Sequence, residues 1–210
     1  RPVLVGRKVT ELLVTHRAAI TSRRTFNADE VVTALTHSAV DRLNAELTRL
    51  GLRQEVDAQA RALRWITGDG VILELIPSDD PPSEAHRPWY EYALECTLAV
   101  PLGARTIRVA GAPAYLALKL AAFADTGTAA TVEPNTDLED ALVVLNGRQT
   151  VEREIAAAPT EVRLFIGDRL AALSDRKDAD SVLEMHIPDA ARFPHLAVKC
   201  LERLRRLAAS

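Results

Sequence analysis

Val3-Leu4-Val5-Gly6, followed by Arg23-Arg24-Thr25-Phe26-Asn27-Ala28-Asp29-Glu30-Val31-Val32, decides how this chain reads. The first run is a short apolar strand ending in a glycine turn, and residues 26–34 read as a second strand. Side chains alternate faces along an extended segment, so Asn27 and Asp29 share one face while Phe26, Ala28 and Glu30 share the other. Acid-type residues two apart at a strand edge, near a glycine turn, suit a site that holds a divalent metal and a nucleoside triphosphate.

Outward from that stretch the N-terminal half mixes strand and helix signals. Val9, Leu12, Leu13 and His16 recur at helical spacing. Ser38 reads as the cap of a helix through Val40, Leu43, Leu47 and Leu50, stopped at Gly51. Strands at 61–66 and 71–76 flank Gly68-Asp69-Gly70, a strong hairpin signal. Pro77 to Pro88 reads as a loop, with strands at 95–100 and 104–109 after it. Beyond Ala110 the pattern becomes helical. Pro113 starts a helix through Tyr115, Leu116, Leu118, Ala122 and Phe123. After a loose segment, 126–135, Thr136 reads as the N-cap of a helix through Leu138, Ala141, Leu142 and Leu145, ending at Asn146-Gly147. Helices at 150–157, 160–173 and 190–208 follow. The expected fold is α/β (α+β): a mixed β-sheet core over 1–110 and a helical domain over 111–210.

The composition, 48% hydrophobic and 26% charged, is that of a globular protein. No run of apolar residues is long enough to span a membrane and no signal peptide is visible. Cys96 and Cys200 are the only cysteines, which excludes a disulfide framework and points to a reducing, cytoplasmic setting. A formal net charge of −3 argues against a general polyanion binder. Local cation groups remain: Arg17 with Arg23 and Arg24, and Lys199, Arg203, Arg205 and Arg206 on a last helix packed through Val198, Leu201 and Leu204. The five histidines show no metal-ligand spacing, and neither a nucleophile elbow nor a phosphate-binding loop of the Walker type occurs.

Four residues besides Asp29 invite a chemical reading. Glu74 interrupts Val71-Ile72-Leu73-Glu74-Leu75-Ile76, where a charge facing the core would cost several kcal/mol unpaired. Lys119 interrupts Leu116-Ala117-Leu118-Lys119-Leu120-Ala121-Ala122-Phe123, where it either snorkels to water or meets a phosphate as a point charge. Asp137 and Asp140, three apart, share one helix face. Capping accounts for Asp137 as well as catalysis does, whereas Asp140, flanked by Ala141 and Leu142, has less structural reason to be there. Trp89-Tyr90 would stack on a base or close the edge of the core.

Together these segments resemble the AbiEii/MenT-like nucleotidyltransferases, the toxin halves of toxin–antitoxin pairs within the DNA-polymerase-β-like superfamily. The resemblance rests on Val3–Gly6, Arg23–Asp29, the Glu74 strand leading to Pro77-Ser78-Asp79, Ala117–Phe123, Asp137–Asp140 and Leu201–Leu207. It implies a nucleotidyltransferase-fold core with a C-terminal helical bundle, magnesium on Asn27 and Asp29, and an NTP near Gly6, Arg7, Arg24, Thr25 and Lys119. Catalytic roles would fall to Asp29, Glu74, Lys119, Asp137 and Asp140, with tRNA as acceptor and an antitoxin protein as partner. The chain departs from the family at four places. Arg7 follows the turn glycine where a second small residue is expected, Asn27 replaces the first strand acid, Glu74 replaces an aspartate, and Thr126 stands where the family has arginine. Two readings follow: a magnesium-dependent nucleotidyltransferase, or a catalytically reduced module of the same fold that binds a nucleotide or partner protein.

Overall fold

The computed structural model describes residues 2–16, 30–55, 63–81, 83–125, 134–187, 190 and 195–208, with the side chains of 30–35 and 37 outside that description. The chain divides into two compact units, Arg1–Leu12 with Arg24–Ala114 and Leu13–Arg23 with Tyr115–Ser210.

The first unit is built on a sheet of seven described strands: β1 (Val3–Leu4), β2 (Glu30–Leu35), β3 (Arg53–Glu55), β4 (Leu63–Ile66), β5 (Ile72–Pro77), β6 (Thr97–Leu102) and β7 (Arg105–Ala110). Their order is β3-β4-β5-β2-β1-β7-β6. β2 runs parallel to β5 and β1 parallel to β7, while the other neighbours are antiparallel. The mixed α/β fold expected from the sequence is the fold found.

The β4–β5 hairpin shows how alternation builds one face of this sheet. Leu63 lies opposite Leu75 and Trp65 opposite Leu73. Trp65, Leu75, Val40 and Leu47 form a buried cluster, with Leu43, Leu63 and Leu73 packed against it. The helix partners come from α2 (His37–Arg49), whose Val40, Leu43 and Leu47 fall on one helical face. The Trp65 indole N–H donates to Asn44 Oδ1 at 3.2 Å, satisfying the one polar atom of that ring. Gly70 takes φ 90° in the hairpin turn, and Gly51 takes φ 81° just past α2, positions that favour glycine.

Several boundaries differ from the sequence reading. β2 begins at Glu30, and residues 26–29 lie outside the described set. α2 has Thr36 as its N-cap residue, so Ser38 is inside the helix. The expected loop from Pro77 to Pro88 closes with a 3₁₀ turn (Glu84–His86) and runs into α3 (Arg87–Glu95), in which Pro88 occupies the first turn and Trp89 is buried. A proline read as a loop marker is here a helix starter, because its missing N–H falls where a first-turn N–H has no intrahelical partner. α1 (Lys8–Leu13) follows the Gly6 turn, with the Val9 N–H donating to Gly6 O at 2.9 Å.

The second unit is helical among its described residues. It holds most of α4 (Ala112–Asp125), then α5 (Thr136–Gly147), α6 (Val151–Ala156), α7 (Thr160–Ser174), α8 (Ala179–His186) and α9 (His195–Ala208). α9 packs on α7 and α8, and α8 also meets α5. Ala197, Cys200, Leu201, Leu204 and Leu207 form the buried stripe of α9. Val198, expected in that stripe, is 54% exposed, because it follows the buried Ala197 by one residue, about 100° around the helix. α8 is an element the sequence reading omitted. None of the described helices is long and apolar enough to cross a membrane.

Candidate functional site

α4 is nearly all apolar, and Tyr115, Leu116, Ala117 and Leu120 are buried around Lys119. The Lys119 side chain is only 12% exposed, so it does not snorkel to bulk water. Its Nζ lies 2.9 Å from Asp137 Oδ1 and 2.8 Å from Asp140 Oδ2. One turn earlier on α4, the Tyr115 ring lies under the ammonium with its centroid 5.6 Å away. Burial by itself drives the Lys119 pKa down; the Tyr115 phenol, Asp140 and Asp137 outweigh it, and the ammonium is held above the usual lysine range. The group is a permanent cation at physiological pH.

The two carboxylates come from α5 and differ in exposure. Asp137 is 30% exposed and Asp140 3%. Their spacing of three places both over the same turn, so a single cation meets both. The residue that orients this turn is Asn135. Its Oδ1 accepts from the Asp137 N–H at 2.9 Å and the Leu138 N–H at 3.0 Å, making Asn135 the N-cap and correcting the assignment of that role to Thr136. Asp137 is therefore a first-turn residue favoured by the helix dipole, and its carboxylate is also a partner of Lys119.

Glu74 sits on β5 opposite Arg64 of β4, with Arg64 Nε 2.9 Å from Glu74 Oε1. Arg64 Nη1 also reaches Glu55 Oε2 at 3.5 Å. The glutamate that looked misplaced in an apolar run is thus part of a cross-strand charge ladder, on the face opposite Leu73 and Leu75. Gly6 is buried and Arg7 half-buried where β1 leaves the sheet. β1 runs antiparallel to β2, so this exit lies at the end of the sheet where β2 begins.

The structure therefore brings together Lys119, Asp137 and Asp140 in the second unit. Gly6, Arg7 and Glu74 belong to the first. Arg17, Arg23, Arg24, Thr25, Asn27, Asp29 and Thr126 lie outside the described residues. Among the described residues no group of three or more His, Cys, Asp or Glu side chains is arranged to hold a metal ion. Asp137 and Asp140 do not offer a metal pair in this arrangement, since a lysine occupies the space between their oxygens. Cys200 offers no nucleophile either. Burial pushes its thiol up to about 11, against the opposing effect of the Asn146 amide that donates to Sγ at 3.3 Å.

Sequence reasoning missed Asn135, Tyr115 and His186 as members of this neighbourhood. Pro134-Asn135-Thr136 ahead of an acidic first turn is a readable N-cap signal, and Tyr115 four residues before Lys119 is a readable helix pair. His186 carries no such signal, because its partner is 51 positions away in the chain.

The fold and site define a mixed α/β protein whose helical unit carries a buried lysine between two aspartates. No family model matches the chain, and no curated protein matches it. Among solved structures, it is similar to the crystal structure of an antigenic nucleotidyltransferase-like protein from Paracoccidioides brasiliensis, at 16% identity and a TM-score of 0.49. The match covers 92% of this chain and 88% of that one.

Proposed function

We propose that this protein is a nucleotidyltransferase-like toxin of a toxin–antitoxin system, transferring a nucleotide from an NTP to the 3′ end of tRNA. The observation that carries the reading is Lys119: a permanent cation in an apolar helix, ordered by one buried and one partly exposed aspartate. A lysine needed only for solubility would reach water, whereas this one is oriented, and its more accessible flank is the Asp137 side. A triphosphate approaching from that flank exchanges with the Asp137 carboxylate for the ammonium, while Asp140 keeps Nζ in place.

In this proposal Asn27 and Asp29 would hold magnesium, which would neutralise phosphate charge. Catalysis on this reading would call on Gly6, Arg7, Arg24 and Thr25 to bind phosphate and on Glu74 to orient the acceptor hydroxyl. Attack of that hydroxyl oxygen on the α-phosphorus forms the new phosphoester bond and breaks the bond to pyrophosphate, with the hydroxyl proton passing to a carboxylate. Arg17, Arg23 and Arg24 guide the RNA end, and an antitoxin protein holds the activity in check in the cytoplasm.

Incubation of the protein with each α-labelled NTP, magnesium and total RNA tests the proposal. Label appearing in tRNA, and lost in Asp29→Asn, is the expected result. Folded protein that transfers no label to any RNA rejects it.

The satisfied ion pairs favour a second reading, a catalytically reduced module that binds a nucleotide or a partner protein. Lys119 is already paired with two aspartates and Glu74 with Arg64, as in a site retained for structure. Calorimetry with NTP separates the two: magnesium-dependent binding supports the enzyme, and magnesium-independent binding supports the module.

A further inference from the structure

His186, at the end of α8, is buried and meets the residue that caps α5. Its Nε2 lies 2.9 Å from the backbone N of Asn135, and its Nδ1 lies 2.7 Å from Val182 O. Hydrogen-bond chemistry assigns the ring from these two distances. A backbone N–H can only donate, so Nε2 carries no hydrogen; a carbonyl can only accept, so Nδ1 carries one. The ring is the neutral Nδ1–H tautomer, with its acceptor aimed at the residue that caps α5. Pro134, immediately before, has no N–H to offer.

We propose that His186 is a positioning residue for the Lys119 site, acting through Asn135 and Asp137; the functional part of this statement rests on the nucleotidyltransferase reading above. The linkage is continuous. His186 Nε2 fixes the Asn135 backbone, Asn135 Oδ1 accepts from the Asp137 and Leu138 N–H groups, and Asp137 Oδ1 holds Lys119 Nζ at 2.9 Å. Asn135 is anchored at both its backbone and its side chain, which sets the direction in which α5 starts. Asp140 lies one turn deeper on α5, three residues farther from the cap. His186 therefore governs the more exposed of the two carboxylates, the one a triphosphate would displace.

The test compares His186→Leu, which removes the acceptor, with His186→Gln, whose side-chain oxygen can accept from the same N–H. Lysine acetylation by a small amine-reactive reagent is followed by mass spectrometry, with the exposed Lys177 and Lys199 as internal references. In folded His186→Leu the Lys119 labelling rate should rise about tenfold, the factor that one lost buried hydrogen bond represents. His186→Gln should return it towards the native rate. An unchanged rate in folded His186→Leu, or a glutamine variant no slower than the leucine variant, overturns the proposal. If His186→Leu does not fold, nitrogen NMR of the native imidazole decides instead. An Nδ1–H ring with a protected Asn135 amide upholds the linkage, and an Nε2–H ring overturns it. ATP titration by calorimetry runs alongside with the same proteins. Should the native protein bind no nucleotide while Lys119 labelling behaves as described, the nucleotidyltransferase reading falls and the positioning of Lys119 by His186 stands.

Discussion

Lys119 shows how one charge can be made tolerable inside an apolar helix. Removing one member of a buried, hydrogen-bonded ion pair typically costs about 3–5 kcal/mol, because the remaining charge stays buried without compensation. Asp140→Ala should approach that range, since Asp140 is almost fully enclosed, whereas Asp137→Ala should cost about 1–2 kcal/mol because water reaches its place. Urea unfolding of the two variants checks the order, and equal losses would contradict the asymmetry. The Lys119 pKa is raised on folding, so its contribution is complete below the usual lysine range and is lost as pH rises through the folded value. The stability gap between the native protein and Lys119→Met should therefore stay constant from neutral to mildly alkaline pH. It should shrink only above the ordinary lysine range, as denaturation curves at successive pH values would show.

At the scale of elements, α5 is the part that organises the site, and it is pinned at both ends. Asn135 caps its N-terminus with two accepted hydrogen bonds, and Asn135→Ala should lower stability by about 1 kcal/mol in thermal melts. At the other end Arg148 pairs through Nε and Nη2 with Glu154 of α6, at 2.6 and 2.8 Å, and donates from Nη1 to Leu13 O at 2.8 Å. The Arg148 hydrogen bonds hold the Glu154 pKa below the usual glutamate range, with burial opposing them and Thr150 assisting. A depressed folded pKa means the stabilisation is present above the ordinary glutamate range and is lost as pH falls through the folded value. Glu154→Gln should thus be less stable than the native protein at neutral pH, and the gap should close on acidification. A gap independent of pH would show that the pairing carries no net charge effect.

On the scale of the whole molecule the proposed function becomes testable at Arg7 and Asn27. Arg7 places a bulky cation beside the turn glycine, and Asn27 offers a neutral carbonyl where the proposed magnesium site would take a carboxylate. Replacing both, with Arg7→Gly and Asn27→Asp together, should raise magnesium affinity in calorimetry if the rest of the site is assembled. No gain in the double variant would favour the reduced binding module over the enzyme. Label transfer by the same variant reports on chemistry separately from binding, so the two outcomes need not coincide.

By itself the sequence determined the mixed α/β core, the β4–β5 hairpin and most of the helices in the second half. Those features are local: periodicity in Val40, Leu43 and Leu47, and glycine in a turn that only glycine adopts easily, are written within a few residues. It also singled out Glu74, Lys119, Asp137 and Asp140, because a charge in an apolar run is conspicuous whatever surrounds it. Tertiary structure decided what each of those charges meets. Glu74 found Arg64 across a strand pair, and Lys119 found two aspartates on the next described helix. Pro88 reads from the sequence as the end of a loop, and the packing of Trp89 beside it makes it the first turn of α3 instead. His186 was illegible throughout. Its role depends on a backbone N–H contributed from far along the chain, and the energy of that contact exists only once α8 and α5 are folded together.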